Sequence, residues 1–263
     1  RPAEASIYAQ DKMEFQGMIA NVGLRCDIWD RNQLYHANPF VNQSIDSGKV
    51  PSSIIGRIQP RVGISFPVSV STVFHLNYGS FMQRPSFQLS YRFEPGRSAP
   101  GSGTFGNPTR RPEVSYMYDV GITQGLGEGF TFDASGYYKN VKDQIEEAIY
   151  YYDYSYTAAG VPIPGPTYTT YINRDYANVR GVVVSVEKRF ADYFSVKADY
   201  TFQIAEGNSS DPRTVFYINQ SDPPVETPKT VVPLDWDQRN TLNMSLMVGE
   251  PGNWTGSLIF QYG

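Results

Sequence analysis

The residues with the clearest chemical potential are tyrosines crowded into a short stretch after Asn140. A tyrosine ring offers a flat apolar face with a hydroxyl group at its edge, which suits a sugar or an aromatic ligand. An alternative interpretation is that these residues only extend strands, or belong to an aromatic belt beside a membrane. The candidate ligand-binding cluster comprises Tyr150, Tyr151, Tyr152, Tyr154 and Tyr156.

A second set of candidates carries charge within stretches that alternate between apolar and polar residues. In a sheet with one wet face, such side chains form cross-strand ion pairs that fix the register, or they contact a substrate. Asp237 and Arg239 lie close to Trp236, where a long loop leads back into a strand. Their positions predict an ion pair on the wet face and a tryptophan that faces lipid. The residues predicted to face the wet lumen of a barrel are Arg25, Asp27, Asp133, Lys139, Glu187, Arg189, Lys197, Asp199, Asp237 and Arg239.

Other chemistry finds little support in the sequence. Residues 101–106 fit the pattern G-x-G-x-x-G, but Asn107-Pro108 follows where a dinucleotide site needs a helix. His36 and His75 have no companion ligand at metal-binding spacing, and Cys26 is the only cysteine. We therefore expect no metal, no cofactor and no enzymatic activity.

The candidate residues belong to strands, and the hairpin Val182–Ile204 shows the pattern best. From Phe194 onward the even positions are apolar and the odd positions are polar or charged up to Ile204. Val182, Val184 and Val186 repeat this alternation before the turn at residues 191–193. A period of two residues is typical of β-strands with unlike faces, so the segment predicts a β-hairpin.

The same pattern recurs along the chain, and its connections alternate between short turns and irregular stretches of roughly 30 residues. The irregular stretches are 29–59, 82–112, 141–173 and 206–235. About ten strands in five hairpins are predicted, at Ser6–Met13, Met18–Ile28, Arg61–Pro67, Thr72–Phe81, Glu113–Thr123, Phe130–Val141, 182–190, Phe194–Ile204, Leu242–Val248 and Trp254–Tyr262.

Strand length and composition favour a membrane barrel. Strands that cross a bilayer at a tilt need ~9 to 11 residues, whereas strands of soluble sheets typically have ~5 to 6. The chain has 263 residues, of which 14% are aromatic and 18% charged, and no long apolar window predicts a transmembrane helix. The net charge of -4 argues against nucleic acid as a partner. The predicted fold is all-β, an antiparallel transmembrane β-barrel with short periplasmic turns and long extracellular loops.

Five ordered motifs resemble the barrel of TonB-dependent outer-membrane receptors, most of all the branch with a carboxypeptidase-regulatory-like N-terminal domain. They are YAQDKMEF with NVGLRCD, PRVGISFPV with TVFHLNYGSF, NPTRRPE, NVRGVVVSVEKRF and PLDWDQRNTLN. The third departs from the form NP-x-LKPE at Thr109 and Arg110, which we interpret as tolerated loop variation.

The resemblance implies a barrel of about 22 strands closed by an N-terminal plug. Residues 1–263 would then be a partial barrel domain without the plug and the C-terminal strands. The implied function is import of a scarce, bulky ligand across a Gram-negative outer membrane. The implied partners are outer-membrane lipid, the TonB complex acting through the missing plug, a ligand of unknown class and a surface lipoprotein.

Two alternatives remain open at this point. The chain could belong to a passive porin or an adhesin-like surface barrel without active transport. A secreted all-β carbohydrate-binding domain is more distant, because its strands should be shorter. The ligand class is not encoded in any motif of the chain.

Overall fold

The structure is a computed structural model that describes residues 1–39, 41–96, 102–151, 155–156, 162–163, 166–191, 193–208, 231–250 and 252–263. Ten long strands follow one another across a single sheet in chain order, and each pairs antiparallel with its neighbours. They are β1 Ala3–Phe15, β2 Met18–Asp30, β3 Ile55–Ser69, β4 Thr72–Gln83, β5 Glu113–Gly127, β6 Phe130–Tyr151, β7 Thr167–Ala191, β8 Phe194–Gly207, β9 Asn240–Glu250 and β10 Trp254–Tyr262.

Minor elements lie between the long strands. Leu34–Tyr35 pairs with Val50–Pro51, and Gly103–Phe105 joins β7 in a parallel pair. The structure has one short helix in its described part, Phe87–Tyr91. No helix among the described residues is long and apolar enough to cross a membrane.

Tight turns at one end of the sheet set the register of the hairpins. Gln16 and Gly17 both have positive φ, 47° and 84°, in the two-residue connection between β1 and β2. Glu128 and Gly129 repeat this between β5 and β6, with φ of 50° and 79°. Turns with two positive φ angles match the right-handed twist of paired strands, which is why they favour hairpins. The predicted short connections are confirmed.

One face of the sheet is apolar from edge to edge. Leu76, Val120 and Val182 are between 42% and 48% exposed although they lie in the middle of long strands. No second layer of described residues covers them, and an apolar face of this extent is unstable in water. Their cross-strand row on β1 to β8 consists of Met13, Ala20, Ile64, Leu76, Val120, Gly136, Val182 and Phe202.

Charged side chains on β7 mark the two limits of this apolar face. Arg180 pairs with Glu206 at 3.0 Å near the loop end, and Lys188 reaches the carbonyl of Ala191 at 2.9 Å near the turn end. About eight residues separate the two cations, which is about 26 Å along a strand, or about 20 Å after a tilt of ~40°. That thickness is close to the ~25 Å apolar band of an outer-membrane barrel.

Tyrosines mark the loop-side boundary of the band. The rings of Tyr78 and Tyr118 lie 5.0 Å apart, and those of Tyr118 and Tyr138 lie 6.3 Å apart, on three successive strands. Arg180 is the next residue of this row. The row has the position of an aromatic girdle, where a ring contacts lipid and its hydroxyl contacts water.

The opposite face is polar, and side-chain hydrogen bonds connect its strands. Thr123 donates to Asp133 at 2.6 Å, and Asn77 donates to Asp119 at 3.0 Å. Tyr137 of β6 passes over Gly181 of β7 and donates to Gln203 of β8 at 2.8 Å. A Cβ atom at position 181 would lie 2.7 Å from the Tyr137 hydroxyl oxygen, so only glycine permits this crossing.

The strands are longer than the sequence pattern predicts, and the prediction of an irregular stretch over 141–173 is wrong at residues 141–151 and 167–173. β6 and β7 remain paired as far as Tyr151 and Thr167. The alternation fades there because neither face contacts lipid once the hairpin rises above the apolar band. Tyr138 therefore lies inside β6.

Candidate functional site

The outer part of the β6–β7 hairpin begins at an irregularity. The register shifts between Val141 and Gln144, and Asp143 has a positive φ of 61°. A β-bulge of this kind bends a strand and redirects the side chains beyond it. Beyond the bulge, Tyr150 of β6 stacks on Tyr168 of β7 with ring centres 5.8 Å apart.

The motif at residues 107–113 is fastened to this outer hairpin by two asparagines. Asn107 donates to the Tyr171 carbonyl at 2.8 Å, while its own oxygen accepts the Thr109 amide at 2.9 Å. Asn173 accepts the Arg111 amide at 2.6 Å and donates to the Arg111 carbonyl at 2.9 Å. Asn173 also donates to the Asp143 carbonyl at 2.6 Å, so one side chain joins the motif to the bulge.

The segment between β2 and β3 packs against the same motif. Arg31 is 1% exposed and donates to the carbonyls of Arg110 and Ser53 at 3.0 and 2.9 Å. Tyr91 donates to the Arg31 carbonyl at 2.8 Å, and Tyr168 donates to the Pro39 carbonyl at 2.5 Å. These bonds hold three parts of the chain together at the loop end of the sheet.

A cleft of about 550 Å³ lies between these three parts, and we call it the loop-end cleft. Its walls combine tyrosine rings, amides and cationic side chains, which can stack on a ring, donate to oxygen atoms and attract an anion. The residues that line it include Tyr35, His36, Gln43, Asn107, Arg110, Arg111, Tyr150, Tyr168, Thr170 and Asn173.

Arg110 is the most deeply buried cation of this cleft. The residue is 2% exposed, and its guanidinium lies 5.7 Å from the Tyr171 ring centre. Its Nε donates to the Asn107 carbonyl and its Nη2 to the Ser90 hydroxyl, both at 3.2 Å. Burial lowers the pKa of Arg110 to about 10, so the side chain is still charged at neutral pH. Thr109 is exposed whereas Arg110 is buried, and the interpretation as tolerated loop variation stays a prediction for both.

One described member of the predicted tyrosine cluster lines the cleft. Tyr150 contributes to its wall, and Tyr151 continues β6. Tyr156 lies in a two-residue strand paired with Pro162. Tyr152 and Tyr154 lie outside the described residues. The cluster consequently stays a predicted ligand site for which only Tyr150 has a described environment.

The charged residues predicted to face a lumen share the polar face of the sheet. Asp133, Ser185, Asp199 and Asn243 are cross-strand neighbours in one row, and Glu187 lies opposite Lys197 in the next. Lys139 and Arg189 lie on the same face, because side chains alternate between the two faces along each strand. Ser185 donates to Asp199, and Lys197 lies 3.9 Å from Asp199.

Arg25 and Asp27 lie on the polar face nearer the first strand. They form an ion pair of 2.8 Å, and Gln59 of β3 donates to Asp27. At the other side of the sheet Asp237 and Arg239 pair at 2.6 Å. These local pairs satisfy charge within the sheet, and their exposure to a lumen stays a prediction.

Asp237 has an additional role that the sequence does not show. Its second oxygen accepts the Ala205 amide at 2.7 Å, and the Leu234 amide donates to the Ala205 carbonyl at 3.0 Å. Leu234 thereby covers a small apolar cluster on the polar face, formed with Val141, Ala177, Val179 and Ala205. Trp236 is 53% exposed beside it.

The residues 103–105 form a strand and not the start of a helix, so the glycine pattern at 101–106 has no dinucleotide geometry among the described residues. His36 lies in the cleft wall with its Nε2 at 2.8 Å from the Ile45 carbonyl, and His75 lies 3.4 Å from Asp119. No group of three potential metal ligands occurs in the described part of the chain.

Sequence reasoning did not identify most residues of the cleft. Tyr168, Thr170 and Asn173 lie in a stretch without a motif, and only the tertiary structure brings them into one cleft with Arg110. The motif at 107–113 was a usable signal, because it placed two adjacent arginines between prolines just before a strand.

Comparison with known proteins gives the family. The sequence model of the TonB-dependent receptor-like β-barrel matches residues 2–263. No curated protein sequence matches the chain.

Solved structures share the fold at low identity. The copper transporter OprC has 14% identity and a TM-score of 0.57, with 98% of this chain and 34% of OprC covered. A mutant of the ferric enterobactin receptor PfeA from Pseudomonas aeruginosa has 16% identity and a TM-score of 0.64, with 99% and 32% covered. The ferric-catecholate import receptor Fiu from E. coli has 15% identity and a TM-score of 0.59, with 99% and 34% covered. The chain spans about a third of each.

The family match and the shared fold explain the two unlike faces of the sheet and its alternation of tight turns and long loops. The apolar face contacts outer-membrane lipid, the turns are periplasmic and the long loops are extracellular. Receptors of this family are transporters that bind imported ligands and interact with TonB. This chain belongs to the TonB-dependent receptors of Gram-negative outer membranes and forms ten antiparallel strands of their larger β-barrel.

Proposed function

We propose that the receptor containing this chain actively imports a ligand that it first captures in the loop-end cleft. The observation that carries the proposal is the cleft itself. It lies at the extracellular end of the sheet, where two loops meet the outer part of β6 and β7. Its volume of about 550 Å³ falls within the ~300 to 1,000 Å³ that is usual for small-molecule sites.

The polar face would guide the ligand after capture. Its charged residues, among them Asp133, Lys197 and Asp199, would face the lumen because the opposite face contacts lipid. In this proposal residues 1–263 form part of the barrel domain, and a plug and further strands come from the rest of the receptor. The plug would transmit energy from the TonB complex.

The first experiment follows solute depletion from a defined medium by mass spectrometry. Cells with the full-length receptor are compared with cells that lack either the receptor or TonB. A solute whose depletion requires both is the imported ligand. Depletion that requires the receptor but not TonB would refute active import and favour a passive porin. Surface binding without depletion would favour an adhesin-like barrel.

A second experiment tests the cleft. Tyr150→Ala removes a ring from the cleft wall, and we expect ligand affinity to fall about two- to twelve-fold, as for the loss of an aromatic contact. Tyr193→Ala is the matched control, because Tyr193 lies in the periplasmic turn between β7 and β8 and is 65% exposed. Equal affinity of both variants would remove Tyr150 from the binding site.

A further inference from the structure

The Arg110 guanidinium is incompletely satisfied in the wall of the loop-end cleft. Nε and Nη2 each have an acceptor, whereas the buried Nη1 has no hydrogen-bond partner in the described part of the chain. Arginine carries five N–H donors in a rigid fork, and an unpaired buried donor is costly. The fork therefore has capacity for a further acceptor.

The charge of Arg110 also lacks a close counterion. No carboxylate lines the cleft among the described residues. Arg111 does pair with Asp143, at 2.8 Å, but its side chain is 70% exposed at the rim. Glu113 acts on Arg110 electrostatically without reaching ion-pair distance within the described structure. A buried cation without a partner is unfavourable, so the site attracts an anion.

Oxyanions fit this environment better than halides or neutral sugars. A guanidinium matches carboxylate, sulfate and phosphate through parallel hydrogen bonds. The Asn107 amide and Arg111 add donors along the same wall, and Tyr150 supplies an apolar surface beside them.

We propose that the loop-end cleft is an oxyanion site, in which Arg110 binds a carboxylate, sulfate or phosphate group of the captured ligand and Arg111 attracts it at the rim. The inference rests on the proposed function, because it names the chemical class of the ligand at that site. The remainder of the ligand would be large enough to contact Tyr150.

The test measures binding of radiolabelled sulfate to the purified full-length receptor in detergent at low ionic strength, by equilibrium dialysis. Unlabelled phosphate and acetate serve as competitors, and monophosphoryl lipid A in the micelle tests a lipid headgroup as the source. We expect one sulfate site and an affinity about ten- to one-hundred-fold lower in Arg110→Leu, as for loss of a charged hydrogen bond. Arg110→Lys should retain part of the affinity, because it keeps the charge without the fork.

Lys49→Leu is the matched control. It removes a cation from the first extracellular loop, where Lys49 pairs with Asp46 outside the cleft. Heat-modifiable electrophoretic migration verifies that each variant barrel is folded. Failure of folded wild-type receptor to bind sulfate or phosphate, or equal binding by Arg110→Leu and Lys49→Leu, would overturn the proposal. Displacement of sulfate by lipid A alone would overturn the assignment to an imported ligand.

These results are separate from those on transport. TonB-dependent depletion of a solute that persists in Arg110→Leu, without competition by sulfate, would refute the oxyanion site and leave import intact. Sulfate binding at Arg110 in a receptor without TonB-dependent depletion would refute import and leave the site intact.

Discussion

Asn173→Ala should loosen the contact between the second extracellular loop and the barrel. The wild-type amide makes three hydrogen bonds, to the Arg111 amide, the Arg111 carbonyl and the Asp143 carbonyl. Each contributes about 0.5 to 1.5 kcal/mol net, which gives about 1.5 to 4.5 kcal/mol together. The site is partly exposed and water replaces part of the loss, so we take the lower limit. About 1.4 kcal/mol corresponds to a ten-fold change in the local opening equilibrium.

Hydrogen–deuterium exchange on the full-length receptor measures this opening. We expect amides at residues 109–113 to exchange about ten-fold faster in Asn173→Ala, while the membrane part of β7 keeps its protection. The matched control is Asn178→Ala on the same strand, whose amide donates to the Tyr138 hydroxyl at the lipid boundary. Unchanged exchange at 109–113, or the same acceleration in both variants, would show that Asn173 does not fasten the motif.

Two further predictions concern the sheet and the cleft. Gly181→Val should reduce the folded fraction in heat-modifiable electrophoresis, because its Cβ would lie 2.7 Å from the Tyr137 hydroxyl oxygen. Gly56→Val is the control and should fold normally, since nothing lies within 4 Å of a Cβ at that position. Sulfate binding should fall about ten-fold between pH 9 and pH 11: the pKa of Arg110 is lowered to about 10, and binding needs the charged form that exists below that pKa. A pH profile shared by Arg110→Leu would contradict the assignment to Arg110.

The sequence pattern predicted the membrane part of the fold well because lipid imposes a strict rule there. Residues on the lipid-facing side of the sheet, such as Val182 and Leu76, must be apolar, so the two-residue period is visible in the chain. Outside the band that rule ends, and the pattern missed the upper halves of β6 and β7.

The candidate site was predicted only in part for a related reason. The sequence indicates Tyr150 because tyrosines are frequent around it. Nothing local indicates that Tyr168 stacks on it or that Pro39 contacts Tyr168. The sequence marks Arg110 only as a departure from a motif, because a sequence shows which residue is present but not whether it is buried.

The sequence by itself determined the strand periodicity, the positions of the tight turns and the division into an apolar and a polar face. These follow from contacts between near neighbours in the chain and from the solvent on each side of the sheet. Only the tertiary structure decided that residues as distant as Arg31 and Arg110 are joined by a hydrogen bond, and that a single asparagine ties a loop to the β6 bulge. Hydrogen bonds of that kind depend on the distance between segments in space, which no local spacing encodes.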